Sequence, residues 1–198
     1  MDNAERVLRL ARTRGVLRAR DLTDHGIPRT ALSRLVESGR LVQLSRGLYA
    51  LPNQARSEQY QLADIAVRSP QGIFCLLTAL RFHEITTQSP HEIWLAIPNK
   101  GHSPRLDYPP LHVVRFSGTA LTEGVERHRI DNVDIHVYSI AKTVADCFKY
   151  RNKIGLDVAL EALREARREK RATNDQLWHY AKICRVANVM RPYMESIE

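Results

Sequence analysis

Two helical patterns hinged on a glycine, followed at once by two short apolar runs, leave residues 16–51 few ways to fold. They read VLRARDLTDHGIPRTALSRLVESGRLVQLSRGLYAL. Arg18–His25 has the pattern of a short helix with Ala19 and Leu22 on one face. Gly26 supplies the turn after it, because a residue without Cβ takes positive φ freely, and Ile27 plugs that turn. Pro28 suits the first turn of the next helix, where a missing N–H costs nothing. That helix is expected over Arg29–Ser38. Ala31, Leu32, Leu35 and Val36 follow helical spacing. Arg29, Thr30, Ser33, Arg34 and Glu37 fall on the outer side, and Gly39 stops the helix. Leu41–Leu44 and Leu48–Leu51 then flank Ser45-Arg46-Gly47, a glycine-containing hairpin turn with Arg46 at its tip.

Helix, tight turn, helix and hairpin in that order is the pattern of a winged helix-turn-helix. In that fold the N-terminal half of the second helix enters the major groove of DNA. Arg29, Thr30, Ser33 and Arg34 are therefore the expected base-reading residues, since Arg and Ser/Thr suit base edges. Arg18, Arg20, Arg40 and Arg46 are the expected phosphate contacts. An amphipathic helix over residues 3–13, with Val7, Leu8, Leu10 and Ala11 inward, completes a unit of residues 1–52. This unit carries ten Arg against five acids, an excess of +5, whereas the remaining 146 residues carry only +3 of the total +8. A small basic module is the footprint of a polyanion binder. That all its cations are Arg suits bidentate contacts, a bias that GC-rich coding also produces.

Residues 53–198 read as a mixed α+β domain. A helix is expected over Ser57–Arg68 with Ser57 as its cap, then an apolar helix over Ile73–Ile85 that ends before the Ser89-Pro90 break. Strands are expected at Glu92–Ile97 and Leu111–Phe116, joined by a Pro-, Gly- and cation-rich loop over Pro98–Pro110. Val125–Ile130 and Val133–Tyr138 alternate in period two around Asp131-Asn132, a hairpin signal. Helices follow over Ser139–Tyr150, over Leu156–Lys170 with Leu156 inward, over Asp175–Arg185 and over Val186–Tyr193. The expected fold class is α+β: an N-terminal winged helix-turn-helix, then a small sheet with packed helices. With no apolar run near 18 residues and no apolar leader core, a soluble cytoplasmic protein is expected, with no membrane partner. Cys75, Cys147 and Cys184 are odd in number and far apart, which points to buried thiols rather than a disulfide framework.

The eight His residues lack metal-ligand spacing. His128 and His136 across the expected hairpin read as a surface pair. No nucleophile elbow, zinc-binding helix motif, phosphate loop or dinucleotide fingerprint occurs. No catalytic residue, metal or cofactor is expected. One enzymatic alternative is a metal-dependent nuclease built on Asp134-Ile135-His136 and Lys142. Such enzymes gather carboxylates on a sheet to hold Mg²⁺, but Lys142 falls in a helix. Lys142 and Asp146 have the i,i+4 spacing of one helix face, as a local ion pair or as a polar patch for a partner. Arg164, Arg167, Arg168, Lys170 and Arg171 form a basic run at a helix end, suited to the helix dipole or to a second nucleic-acid contact.

The run beginning at Tyr138, YSIAKTVADCFKYRNKIGLDVALEAL, joins ALRFHEI at Ala79–Ile85, the strand at Ile93–Ile97 and Arg46-Gly47-Leu48-Tyr49. Together they resemble the AbiEi antitoxin family over nearly the whole chain. The resemblance implies an N-terminal winged helix that represses its own operon through inverted repeats in promoter DNA. It implies a C-terminal domain that counters a nucleotidyltransferase-like toxin in a type IV system, without need of a stable complex. Lys142 and Asp146 would then form an antitoxin patch, and direct toxin binding is the alternative route. No dimer helix is visible, so a monomer or weak dimer is expected.

Overall fold

The computed structural model describes residues 2–52, 59–88, 91–104 and 109–196. The expected Ser57 cap, the Ser89-Pro90 break and part of the loop over Pro98–Pro110 lie outside the described residues. The chain divides into two compact units, Met1–Pro70 with His128–Ile135, and Gln71–Arg127 with His136–Glu198.

The first unit runs α1 (Asn3–Arg14), β1 (Val16–Arg18), α2 (Asp21–Asp24), α3 (Thr30–Glu37), β2 (Val42–Ser45), β3 (Leu48–Ala50) and α4 (Tyr60–Arg68). Val7, Leu8 and Ala11 of α1 pack with Leu17, Leu22, Ile27, Ala31, Leu32, Leu35 and Leu41 in one buried cluster. Val7, Leu8, Ala11, Leu22, Ala31, Leu32 and Leu35 are positions that helical spacing singles out, whereas Leu10, Ala19 and Val36 are only partly buried against the cluster; this burial is what orders three short helices. Gly26 takes φ +63 between α2 and α3, and the Ile27 amide closes the turn on the Leu22 carbonyl at 2.9 Å. The sheet has order β1-β3-β2 and is antiparallel, with Val16 and Val42 both opposite Ala50.

Two local expectations change here. Arg18 does not open a helix but ends β1, so α2 shrinks to Asp21–Asp24. Val16–Arg18 satisfies the otherwise open edge of β3, a non-local gain that one short helical turn cannot match. Ser45 belongs to β2, with a register shift between Gln43 and Ser45, so Arg46 and Gly47 alone form the turn.

The second unit is built from β4 (Ile73–Phe74), α5 (Leu76–Phe82), β5 (Ile93–Pro98), β6 (Leu111–Phe116), α6 (Thr119–Thr122), β7 (Val125–Ile130), β8 (Val133–Tyr138), α7 (Ile140–Lys149), α8 (Arg151–Ile154), α9 (Leu156–Arg168), α10 (Asn174–Ile183) and α11 (Ala187–Ser196). The β7–β8 tip, His128–Ile135, groups with the first unit. The sheet order is β6-β5-β4-β8-β7; β4 runs antiparallel to β5 and parallel to β8, and β5 runs parallel to β6. Asp131 and Asn132 take φ +46 and +63, the paired positive values of a two-residue hairpin turn.

The single helix expected over Ile73–Ile85 is a strand followed by a helix. Ile73 and Phe74 hydrogen-bond to strands on both sides, and Cys75 stays extended before α5 begins. Leu156, expected inward, is 37 % exposed at the start of α9. Ser139 caps α7, its hydroxyl accepting from the Lys142 amide at 3.4 Å. Thr173 and Gln176 form a reciprocal capping box at α10.

The α7 helix is the centre of this unit. Val144, Ala145 and Phe148 are buried in one cluster with Trp94, Val114 and Phe116 of the sheet and with Ala159, Ala162, Leu163 and Ala166 of α9. Gly124 brings its backbone against this helix: with φ +74, a Cβ there would stand 2.8 Å from Lys142 Cβ and 3.0 Å from Tyr180 Cε1. Gly124→Ala is therefore expected to destabilise the second unit by about 1–3 kcal/mol through overpacking. A denaturant melt showing no loss would mean that Lys142 and Tyr180 yield freely.

Candidate nucleic-acid interface

The outer row of α3 is the most open charged feature of the first unit. Arg29, Thr30, Ser33 and Arg34 are all exposed. Among the described residues none of their side chains takes part in an internal hydrogen bond or ion pair. The opposite side of the same helix, Ala31, Leu32 and Leu35, is buried. The fold thus fixes the helix by its apolar side and leaves its polar row free for a ligand. Arg46 is exposed at the hairpin turn and Arg20 is exposed before α2, both likewise without an internal partner among the described residues.

The other two expected phosphate contacts are already engaged. Arg18 is bound to Asp21 by its Nε at 3.0 Å and by its second guanidinium nitrogen at 2.9 Å, and its side chain is 13 % exposed. The Arg18 amide also donates to Asp21 at 3.0 Å, and Arg14 adds a further contact at 3.5 Å. Asp21 is thus the buried anchor of two arginines, which withdraws Arg18 from the surface. In the sequence Asp21 enters only as one of the five acids in the charge balance of residues 1–52. The spacing Arg14-x₃-Arg18-x₂-Asp21 was the available signal. Arg40 pairs with Glu5 at 3.0 Å, with both side chains about half exposed. A surface pair of this kind is weak and readily exchanged for another anion.

In the second unit Lys142 and Asp146 form the expected i,i+4 pair, Nζ to Oδ2 at 2.6 Å, but both are fully buried. They are not a surface patch. Lys142 Nζ lies 4.0 Å from the Tyr138 ring centroid and 4.8 Å from that of Phe116. The Cys184 thiol donates to the other Asp146 oxygen at 3.2 Å. Burial pushes the Asp146 carboxyl up, and Lys142 and the Cys184 thiol pull it back down. Burial, with the Asp146 charge beside it, pushes the Cys184 thiol up to about 12, so it stays protonated and donates. Sequence spacing found the pair but not its third member, Cys184, which comes from a distant helix end.

The basic run of α9 is largely spent within the chain. Arg167 donates to the Met194 carbonyl at 2.8 Å, capping the end of α11, and Arg171 donates to the His83 carbonyl. Arg168 pairs with Glu165 and Glu169. Among the described residues no group of three or more His, Cys, Asp or Glu is placed to hold a metal ion, and no helix is long and apolar enough to cross a membrane.

The arrangement of the first unit, a helix-turn-helix-like pair followed by a hairpin, agrees with the comparison of the sequence with known families. Residues 5–52 match the transcriptional regulators described as AbiEi antitoxin. The AbiEi match spans α1 to the end of β3 and so includes the open row of α3 and the Arg46 turn. No curated protein matches the chain. Among solved structures, the crystal structure of the RV2827C protein from Mycobacterium tuberculosis is similar, with TM-score 0.59 at 18 % identity, covering 91 % of this chain and 71 % of that one. That likeness extends the shared fold beyond the AbiEi segment, with its N-terminal helices and short sheet, to the larger sheet with its helices.

Proposed function

We propose that the chain is a DNA-binding repressor and the antitoxin of a type IV toxin–antitoxin system, acting in the cytoplasm. Residues 1–52 form its winged helix-turn-helix and residues 53–198 its antitoxin domain. The observation that carries this reading is the exposed row Arg29, Thr30, Ser33 and Arg34, without internal partners among the described residues, on a helix whose other side is buried. These four read bases in the major groove, while Arg20, Arg40 and Arg46 neutralise phosphates beside it. Arg18 serves the fold rather than the duplex, because Asp21 holds it. The operator is a set of inverted repeats in the chain's own promoter, and the second domain counters a nucleotidyltransferase-like toxin encoded alongside.

Fluorescence anisotropy with the duplex upstream of the gene tests the first half. Binding is expected to weaken with salt at a log–log slope of roughly −5, for counterions released from about six neutralised phosphates. Absence of binding at low salt would overturn the reading. Arg46→Ala is expected to weaken promoter and random duplexes alike and to flatten the slope by about 0.9; a loss confined to the promoter would assign Arg46 to base reading instead. Growth rescue on co-expression with the neighbouring reading frame tests the second half. Rescue by a chain whose α3 row is replaced with alanine would place toxin control apart from DNA binding.

A further inference from the structure

We propose that Glu37 is a specificity-determining residue of α3, whose carboxylate accepts a hydrogen bond from a cytosine amino group and disfavours duplexes that lack one there. The proposal rests on the reading of α3 as the helix that meets DNA. Thr30, Ser33, Arg34 and Glu37 stand at i, i+3, i+4 and i+7, the spacing of one helix stripe. Glu37 falls within about 20° of Thr30 around the axis and about 10 Å further along, the rise of roughly three base pairs. Around the axis it therefore lies between Ser33 and Thr30; along the axis it is the last residue of α3, so the base it meets stands at the edge of the site that the N-terminal half reads.

Glu37 is exposed and has no ion pair or hydrogen bond among the described residues. Cations are close in sequence, yet none is used. Arg34, three residues before it, is itself unpartnered, and Arg40, three residues after it, reaches Glu5 instead. Stability does not explain an acid at this point. A carboxylate in the last turn of a helix opposes the helix dipole. General affinity for DNA does not explain it either, since an anion on the contacting face works against phosphate attraction. What an acid supplies there is selectivity. Glu accepts from the cytosine N4 amino group in the major groove. A duplex that offers this donor satisfies the carboxylate, and one that offers an acceptor repels it. A penalty on the wrong sequence is a route to specificity in its own right.

The test compares the wild-type chain with Glu37→Gln and Glu37→Ala by selection from a randomised duplex library, with anisotropy on an unselected duplex over a salt series. Wild type is expected to enrich cytosine at one position; Glu37→Ala loses that preference, and Glu37→Gln, whose amide both accepts and donates, relaxes it to admit adenine, with the other enriched positions unchanged. Both variants are expected to bind the unselected duplex about three- to tenfold more tightly, with a slope steeper by up to about 0.9. Their thermal midpoints are expected to equal or exceed that of wild type. Unchanged selected sites, or unchanged affinity for unselected duplex, would overturn the proposal. So would loss of every enriched position together with a lowered midpoint, which would mark Glu37 as structural. If the wild-type chain enriches no sequence at all, the failure lies with the reading of α3 itself.

Discussion

Lys142→Met is expected to destabilise the second unit by about 3–5 kcal/mol, the usual cost of leaving one member of a buried ion pair alone. Both side chains are fully buried and 2.6 Å apart. Met fills most of the space of the lysine stem but offers Asp146 no charge, and among the described residues the Cys184 thiol at 3.2 Å would remain as its side-chain donor. Both tryptophans, Trp94 and Trp178, lie in this unit, so their fluorescence in a urea melt reports on it alone.

The deficit should depend on pH in one direction. Burial already pushes the Asp146 carboxyl above its ordinary 3.8, and without Lys142 it moves further up. Between the unfolded value and that raised folded value, the folded variant holds a proton that the unfolded chain has lost. Its stability therefore falls as pH rises through this window, and the gap to wild type narrows as pH is lowered. The paired variant Lys142→Met with Asp146→Leu is expected to recover most of the loss, because no buried charge is left to satisfy. A single variant as stable as wild type at neutral pH, or one whose deficit is flat with pH, would show that water reaches Asp146.

Local chemistry explains which parts of this fold were legible in the sequence. The α2–α3 turn was readable because its determinants sit side by side: Gly26 for the positive φ, Ile27 for the plug, Pro28 for the helix start. The β7–β8 hairpin was readable for the same reason, from Asp131-Asn132, and the α7 helix from apolar Ile140, Val144, Cys147 and Phe148 on one side. The strands β1 and β4 were not. Each has only two or three residues, and each exists because a distant strand offers unpaired backbone groups. The same contrast runs through the candidate sites. The outer row of α3 follows from helical spacing alone. That Arg18 is withdrawn depends on Asp21 turning back onto β1. That Lys142 and Asp146 are interior depends on Tyr138, Phe116 and Cys184 closing over one side of α7, and i,i+4 spacing carries no information about what covers a helix.

The paired replacement Arg29→Ala with Arg34→Ala is expected to lower affinity for the preferred duplex by about 30-fold to about 10⁴-fold, taking each good arginine–guanine contact at roughly 1–3 kcal/mol. Neither side chain has a partner within the chain among the described residues, so the thermal midpoint should stay where it is. Affinity for unselected duplex should fall far less, because bidentate base contacts discriminate whereas phosphate contacts do not. Arg18→Ala makes the opposite prediction from the same kind of residue. Its guanidinium is spent on Asp21 at 2.9–3.0 Å, so its removal should lower the midpoint of the first unit, leaving the buried carboxylate with the position-18 backbone amide and with Arg14 at 3.5 Å in place of its close charged partner. Sequence preference should survive in whatever fraction stays folded. The pair of experiments separates recognition from scaffolding. If the α3 variant keeps its preference while Arg18→Ala loses it without unfolding, base reading would belong to the β1 edge and not to α3.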